Sequence, residues 1–118
     1  REAVQRFRAS RPEASCLLMS PVDHGVKVRR RARTPERLVE MIDAQRRVAF
    51  SEGCAYWSAF DAMGGRGSIA GWVKKGLAEG DYAHLTRHGS MVMGELYFKA
   101  LMKGFSDWLQ KPAPTPTD

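Results

Sequence analysis

The stretch ASCLLMSPVD, Ala14 to Asp23, holds a short unbroken apolar run that Pro21 closes. A run without polar alternation marks a strand buried on both faces, which is the habit of parallel sheets. Cys54-Ala-Tyr-Trp-Ser-Ala-Phe60 reads as a second, aromatic strand. Between them, Thr34-Pro35-Glu36-Arg37 has the form of a helix start, with Thr34 as cap and proline in the first helical position. Leu38, Val39, Met41, Ile42, Val48 and Ala49 supply that helix with an apolar stripe, and Gly53 ends it. Strand, crossover helix and strand in this order predict α/β architecture, a parallel sheet covered by helices on both faces.

Working outward, Glu2 to Ala9 carries Ala3, Val4 and Phe7 at helical spacing and stops before Arg11-Pro12. Val22 to Arg33 reads as a polar, basic loop. Beyond the second strand lies the glycine-rich Met63-Gly64-Gly65-Arg66-Gly67; Ser68 then caps a short helix, Ile69 to Lys75, that Gly76 terminates. Thr86 caps a long amphipathic helix marked by Met91, Gly94, Phe98, Leu101, Phe105 and Trp108. The proline-rich segment 111–118 reads as a disordered tail. Two strands make a poor sheet, and the first residue is Arg1. Residues 1–110 are therefore expected to be the C-terminal portion of a domain whose other strands lie in sequence outside this chain.

Composition narrows the function classes. The chain has 118 residues, is 43% hydrophobic and carries 19 Lys and Arg against 13 Asp and Glu, a net charge of +6. One modest core is within reach of such a length. No apolar run is long enough to span a membrane, and the charged N-terminal stretch lacks the apolar centre of a secretion signal. The positive excess gathers in Lys27, Arg29, Arg30, Arg31, Arg33 and Arg37. It reads either as a solvated basic loop or as an anion-binding strip for an acidic polysaccharide, a nucleic acid or lipid headgroups. Nucleic acid is the weakest of these, because no aromatic residues alternate with the arginines to stack on bases. Cys16 and Cys54 fit no metal spacing and do not diagnose a compartment. Two buried free thiols are the favoured reading, and a bridge between neighbouring strand starts is the alternative.

In parallel-sheet folds ligands collect beyond the carboxyl ends of the strands. That rule selects Asp23 and His24, the Asp61 to Gly67 segment, and Asp81 with His84. In GDYAHLTRHG, Gly80 to Gly89, three residues of tight turn bring the Asp81 carboxylate against the His84 imidazole, to accept the Nδ1 hydrogen bond and fix the tautomer. The following helix start is expected to keep the resting imidazole neutral. An ordinary capping pair explains the same spacing. A metal set of Asp23, His24, Asp81 and His84 is chemically sound but matches no recognised ligand pattern. The glycine loop leading into a helix suggests backbone amides around an anion, or simply a turn.

Ala62-Met-Gly-Gly-Arg-Gly-Ser-Ile69, Trp72, Gly76-Leu-Ala78, Asp81-Tyr-Ala-His-Leu-Thr86 and Gly89, together with the ASCLLMSPVD and GCAYW strands, resemble the C-terminal half of SGNH (GDSL-like) esterases. They are most similar to the bacterial branch containing peptidoglycan and polysaccharide O-acetylesterases. The resemblance runs from Glu2 to Phe105. It implies a flavodoxin-like three-layer α/β/α fold and Ser-His-Asp acyl transfer, with Asp81 orienting the base, His84 as the base, and Met63, Gly64, Gly65 and Trp72 walling the acyl pocket. It implies an acyl ester on a glycan as substrate, acetyl foremost, with no cofactor and no metal. A periplasmic or extracellular setting follows by the same analogy.

Two departures stand out. The family's GDS nucleophile block and its oxyanion donors are absent, and none of the chain's serines stands in a GDS or G-x-S-x-G context. Ser58 also follows Trp57 where the family carries an acid or amide. The expected partner is consequently an N-terminal portion of the same domain bearing the serine. The rival readings are a non-enzymatic basic module binding an anionic polymer through Arg29, Arg30 and Arg31, and an inactive remnant of the esterase.

Overall fold

The computed structural model describes residues 1–29 and 31–112. Arg30, and all but the first two residues of the segment expected to be a disordered tail, lie outside the described residues. The elements are α1 (Glu2–Ser10), β1 (Leu17–Met19), β2 (Val26–Val28), β3 (Arg31–Arg33), α2 (Glu36–Ser51), β4 (Ala55–Trp57), α3 (Ala59–Ala62), α4 (Ser68–Lys74) and α5 (Arg87–Leu109). The fold is mixed α/β. β1 and β4 pair in parallel, with Leu17 opposite Ala55, Leu18 opposite Tyr56 and Met19 opposite Trp57.

Because side chains alternate across a strand, Leu18 and Tyr56 share one face of this pair, and Leu17, Met19 and Trp57 share the other. α2 lies on the first face, where the Tyr56 hydroxyl donates to the Ile42 carbonyl at 3.3 Å. α5 stands beside the second, where Tyr97 meets the Trp57 ring edge-on at 5.1 Å between centroids. Two apolar clusters hold the helices: Leu38, Ile42 and Phe60 under α2, and Met63, Ile69, Trp72 and Ala78 beneath the chain that follows β4.

Several sequence expectations are corrected. Cys16 and Cys54 are not free thiols but a disulfide across the starts of β1 and β4, with Cα atoms 4.8 Å apart. The Ala55 amide donates to the Cys16 carbonyl at 2.9 Å, so the first rung of the ladder already brings the two residues together. The basic loop contains a hairpin, β2 against β3. Thr34 does not cap α2, since Pro35 occupies that position and no side-chain cap forms. Ser68 does not cap α4 either: Gly67, at φ 75°, takes the cap in a left-handed conformation open to glycine. The second strand stops at Trp57, where the Ser58 hydroxyl accepts from the Asp61 amide and starts α3 instead.

β1 is not buried on both faces. Leu17 and Met19 are 41% and 48% exposed, because neither outer edge of the pair is followed by another strand among the described residues. The stripe expected to seat the last helix is exposed as well. α5 packs instead through Val92, Met93 and Leu96, while Phe98, Leu101, Phe105 and Trp108 face outward. Leu101, Phe105 and Trp108 line, with Leu17 and Trp57, a groove of about 440 Å³.

Candidate active site

The loop bearing Asp81 and His84 is closed at its neck. Ala78 and Leu85 form an antiparallel bridge, and the Glu79 amide donates to the His84 carbonyl at 2.8 Å. Inside this neck the Tyr82 amide donates to the Glu79 carbonyl at 3.1 Å, and Tyr82 takes φ 60°. A bulky side chain disfavours that left-handed conformation, so the surrounding contacts must hold it.

Asp81 uses both oxygens. Oδ1 accepts from the amides of Ala83 at 2.9 Å and His84 at 3.1 Å, the local bonding by which aspartate organises turns. Oδ2 lies 2.6 Å from His84 Nδ1. The imidazole hydrogen bond, followed by the two amides, lowers the Asp81 carboxyl from 3.8 to about 2. The same bond to Asp81 raises the His84 pKa above its ordinary value. The shift runs opposite to the one expected from the helix start, and its first cause is the hydrogen bond to the adjacent carboxylate. The His84 side chain is 79% exposed and Asp81 50% exposed. Among the described residues Nε2 has no hydrogen-bond partner. With Nδ1 bonded to a carboxylate, the other ring nitrogen of this exposed side chain is the one available to accept a proton.

Downstream, Thr86 fixes the loop to α5. Its hydroxyl accepts from the Gly89 amide at 3.0 Å as the expected cap, and donates to the Gly76 carbonyl at 2.9 Å. Gly89 is needed for a different reason than turn formation. A Cβ there would run into the Leu77 carbonyl oxygen.

The glycine segment is bound into the same body. Met63 and Trp72 are 6% and 7% exposed and belong to the core, with the Trp72 indole donating to the Met63 carbonyl at 2.9 Å. Gly64 and Gly65 lie above them at the surface. The amides expected to cradle an anion are already engaged. Gly67 N donates to Thr34 Oγ1 at 2.8 Å and Ile69 N to Asp23 Oδ2 at 3.1 Å, while Gly64, Gly65 and Ser68 donate to backbone carbonyls. Arg66 forks onto both oxygens of Glu36 at 2.7 Å and ties the segment to the start of α2.

Asp23 is fully buried. It accepts from the Thr34 hydroxyl at 2.7 Å as well as from Ile69, and its amide contacts Met63 Sδ at 3.0 Å. The metal set of Asp23, His24, Asp81 and His84 therefore does not assemble. No group of three or more His, Cys, Asp or Glu side chains converges among the described residues. Sequence reading missed the structural roles of Asp23 and Thr34; the signal was a carboxylate directly after an apolar strand, where a buried partner is required.

Arg29 and Arg31 sit on the β2–β3 hairpin, both exposed, with Arg29 at its tip in a left-handed conformation. None of the ion pairs among the described residues involves Lys27, Arg29, Arg31 or Arg33.

No protein-family model matches the chain, and neither does any curated protein. Among solved structures, a peptidoglycan O-acetylesterase superposes with a TM-score of 0.80 at 29% sequence identity. The match covers 86% of this chain and 29% of the esterase chain. The chain thus resembles one part of an esterase, at an identity that carries sequence as well as fold, and spans well under half of that protein's length.

Proposed function

We propose that the chain supplies the acid and base of a Ser-His-Asp esterase with a flavodoxin-like three-layer fold, and that the serine and oxyanion donors belong to an N-terminal portion of the same domain. The observation that carries this reading is the 2.6 Å contact from Asp81 Oδ2 to His84 Nδ1, made by a carboxylate whose other oxygen is fixed by two amides. It leaves Nε2 unpartnered on an exposed ring. His84 Nε2 takes the proton of the serine hydroxyl as its oxygen attacks the acyl carbonyl, then returns it to the departing alcohol; water repeats the cycle and frees the acid.

An acetyl ester on a peptidoglycan-type glycan is the substrate class, by likeness to the solved esterase. In this reading Gly64 and Gly65 wall the acyl pocket, with Met63 and Trp72 supplying its apolar surface. Arg29 and Arg31 present unmatched positive charge to an acidic glycan. The disulfide between Cys16 and Cys54 supports a periplasmic or extracellular setting. The exposed Leu17, Leu101, Phe105 and Trp108, with the half-buried Trp57, are the surface the rest of the domain covers.

Turnover of para-nitrophenyl acetate by the full-length protein tests this. His84→Ala is expected to lower kcat by about 10³-fold or more, the scale of losing a triad member, with the fold intact. The unmatched hairpin cations favour one rival, a polyanion-binding module. In that case His84→Ala is silent, and Arg29→Glu with Arg31→Glu abolishes binding that weakens steeply with salt.

A further inference from the structure

The segment after β1 bonds to α3, to the start of α4 and to the loop that bears Asp81 and His84. The Ser20 hydroxyl accepts from the Phe60 amide at 3.1 Å, and Asp23 holds Thr34 and Ile69. Two residues later the Gly25 amide donates to the Tyr82 carbonyl at 2.7 Å. This is a hydrogen bond across 57 positions of sequence, by the difference of the two residue numbers, onto the residue that separates Asp81 from Ala83 and His84.

We propose that Gly25 is a positioning residue for the Asp81–His84 pair: its amide locks Tyr82 in the left-handed conformation that turns the aspartate back onto the imidazole. Tyr82, at φ 60°, stands between Asp81 and the two amides, of Ala83 and His84, from which Asp81 Oδ1 accepts, so its backbone conformation sets how the aspartate meets them. An unstrained tyrosine would leave that conformation, so something must hold it there. Three contacts do. The Gly25 amide takes the carbonyl, the ring packs against the Met63, Ile69, Trp72 and Ala78 cluster, and Lys27 Nζ stands 5.9 Å from the ring centroid.

The space at position 25 explains why the residue is glycine. A Cβ there would lie 2.8 Å from Ala32 Cβ and 3.4 Å from Tyr82 Cβ, so the hairpin and the loop close over it. Gly25 has no left-handed φ; alanine is opposed there by Ala32 Cβ, and relief of that clash must press the chain toward Tyr82 Cβ and Ile69 Cγ2, each already in contact at 3.4 Å, or displace the hairpin. The purpose assigned to this lock rests on the acyl-transfer reading. The geometry it controls is read without any ester.

The test is a pH titration of the His84 ring protons by NMR in the intact protein, with His84→Ala distinguishing its signals from those of His24 and His88. The charged groups bearing on the ring are the carboxylates of Asp81 and Glu79, and Lys27 is carried on the hairpin. The wild-type midpoint is expected above that of a free imidazole, and Gly25→Ala is expected to move it toward the free value. The exchange Gly25→Ala with Ala32→Gly removes the Cβ that would be struck, and is expected to restore the midpoint. If Gly25→Ala does not fold, Ala32→Val crowds the same space from the hairpin and is expected to produce the same fall. A folded Gly25→Ala or Ala32→Val protein with an unmoved midpoint overturns the proposal, as does an exchange variant that stays shifted. Absence of esterase activity in the wild type, with the titrations as expected, removes the acyl-transfer reading and leaves the positioning role standing.

Discussion

Asp81 and His84 set opposite pH limits. The His84 pKa is raised, so the favourable pairing of its cation is complete below the unfolded imidazole value and fades as pH rises through the higher folded one. The Asp81 pKa is lowered from 3.8 to about 2, so its share is present above the unfolded value and is lost as pH falls through about 2. Both groups are exposed, and solvent screening keeps either contribution to stability small. The consequence for rate is larger. A base must be unprotonated, so the acidic limb of the kcat/KM profile is expected to lie on the high side of the ordinary imidazole value; Asp81→Asn, which removes the raising carboxylate, should move any residual activity's limb downward. At Asp23 stability is the readout. Asp23→Ala strands the Thr34 hydroxyl and the Ile69 amide in a buried site, at about 1–3 kcal/mol for each orphaned group. Urea unfolding measures that loss. The dyad was legible because its three-residue spacing is local. Asp23, Thr34 and Gly25 were not: Asp23 bonds Thr34 and Ile69 at separations of 11 and 46 residues, Thr34 bonds Gly67 at 33 and Gly25 bonds Tyr82, farther still along the chain, so no short window of sequence contains the pairs.

At the scale of elements, what the sequence made visible were those whose signals are self-contained. Thr86 caps α5 as its position suggests, with no competing partner for the bond it accepts. Thr34 carries the same cap signature before α2, but its hydroxyl is drawn to Asp23 and Gly67. Ser68 loses its cap to Gly67. Val26-Lys-Val28 and Arg31-Ala-Arg33 form strands despite their charge because Lys27 and Ala32 turn together toward Tyr82 and Gly25. The disulfide joins elements rather than residues of one element. Opening it with Cys16→Ser and Cys54→Ser should lower stability by up to about 4 kcal/mol on the chain-entropy estimate for a loop of 38 residues. A melting curve of the double variant against the oxidised protein checks it. The junction of α4 and α5 is equally demanding: Gly89→Ala drives a methyl into the Leu77 carbonyl and should cost about 1–3 kcal/mol as the helix is displaced.

For the whole molecule, the decisive feature is apolar surface that the described residues do not cover. Phe98, Leu101, Phe105 and Trp108 repeat along one side of a 23-residue helix, and Leu17 and Met19 line an open strand pair. Contiguous exposure on this scale marks an interaction surface. It also explains why the α5 stripe was legible as amphipathic while its use was not: periodicity reports a face that will be covered, without saying by what. The match to 29% of a longer esterase chain supplies a candidate cover, the remaining portion of one domain. On its own the chain should self-associate in sedimentation, and Leu101→Lys with Phe105→Lys should reduce that association. In the full-length protein the same pair of changes should impair folding.

The claim on which the account turns is that His84 activates a serine supplied from outside the present chain. Labelling of the full-length protein with a fluorophosphonate, followed by mass spectrometry of its peptides, addresses that serine directly. A single modified serine N-terminal to Arg1, with labelling slowed at least about 10³-fold in a folded His84→Ala variant, is the result expected; no modified serine, or equal labelling of the variant, contradicts it.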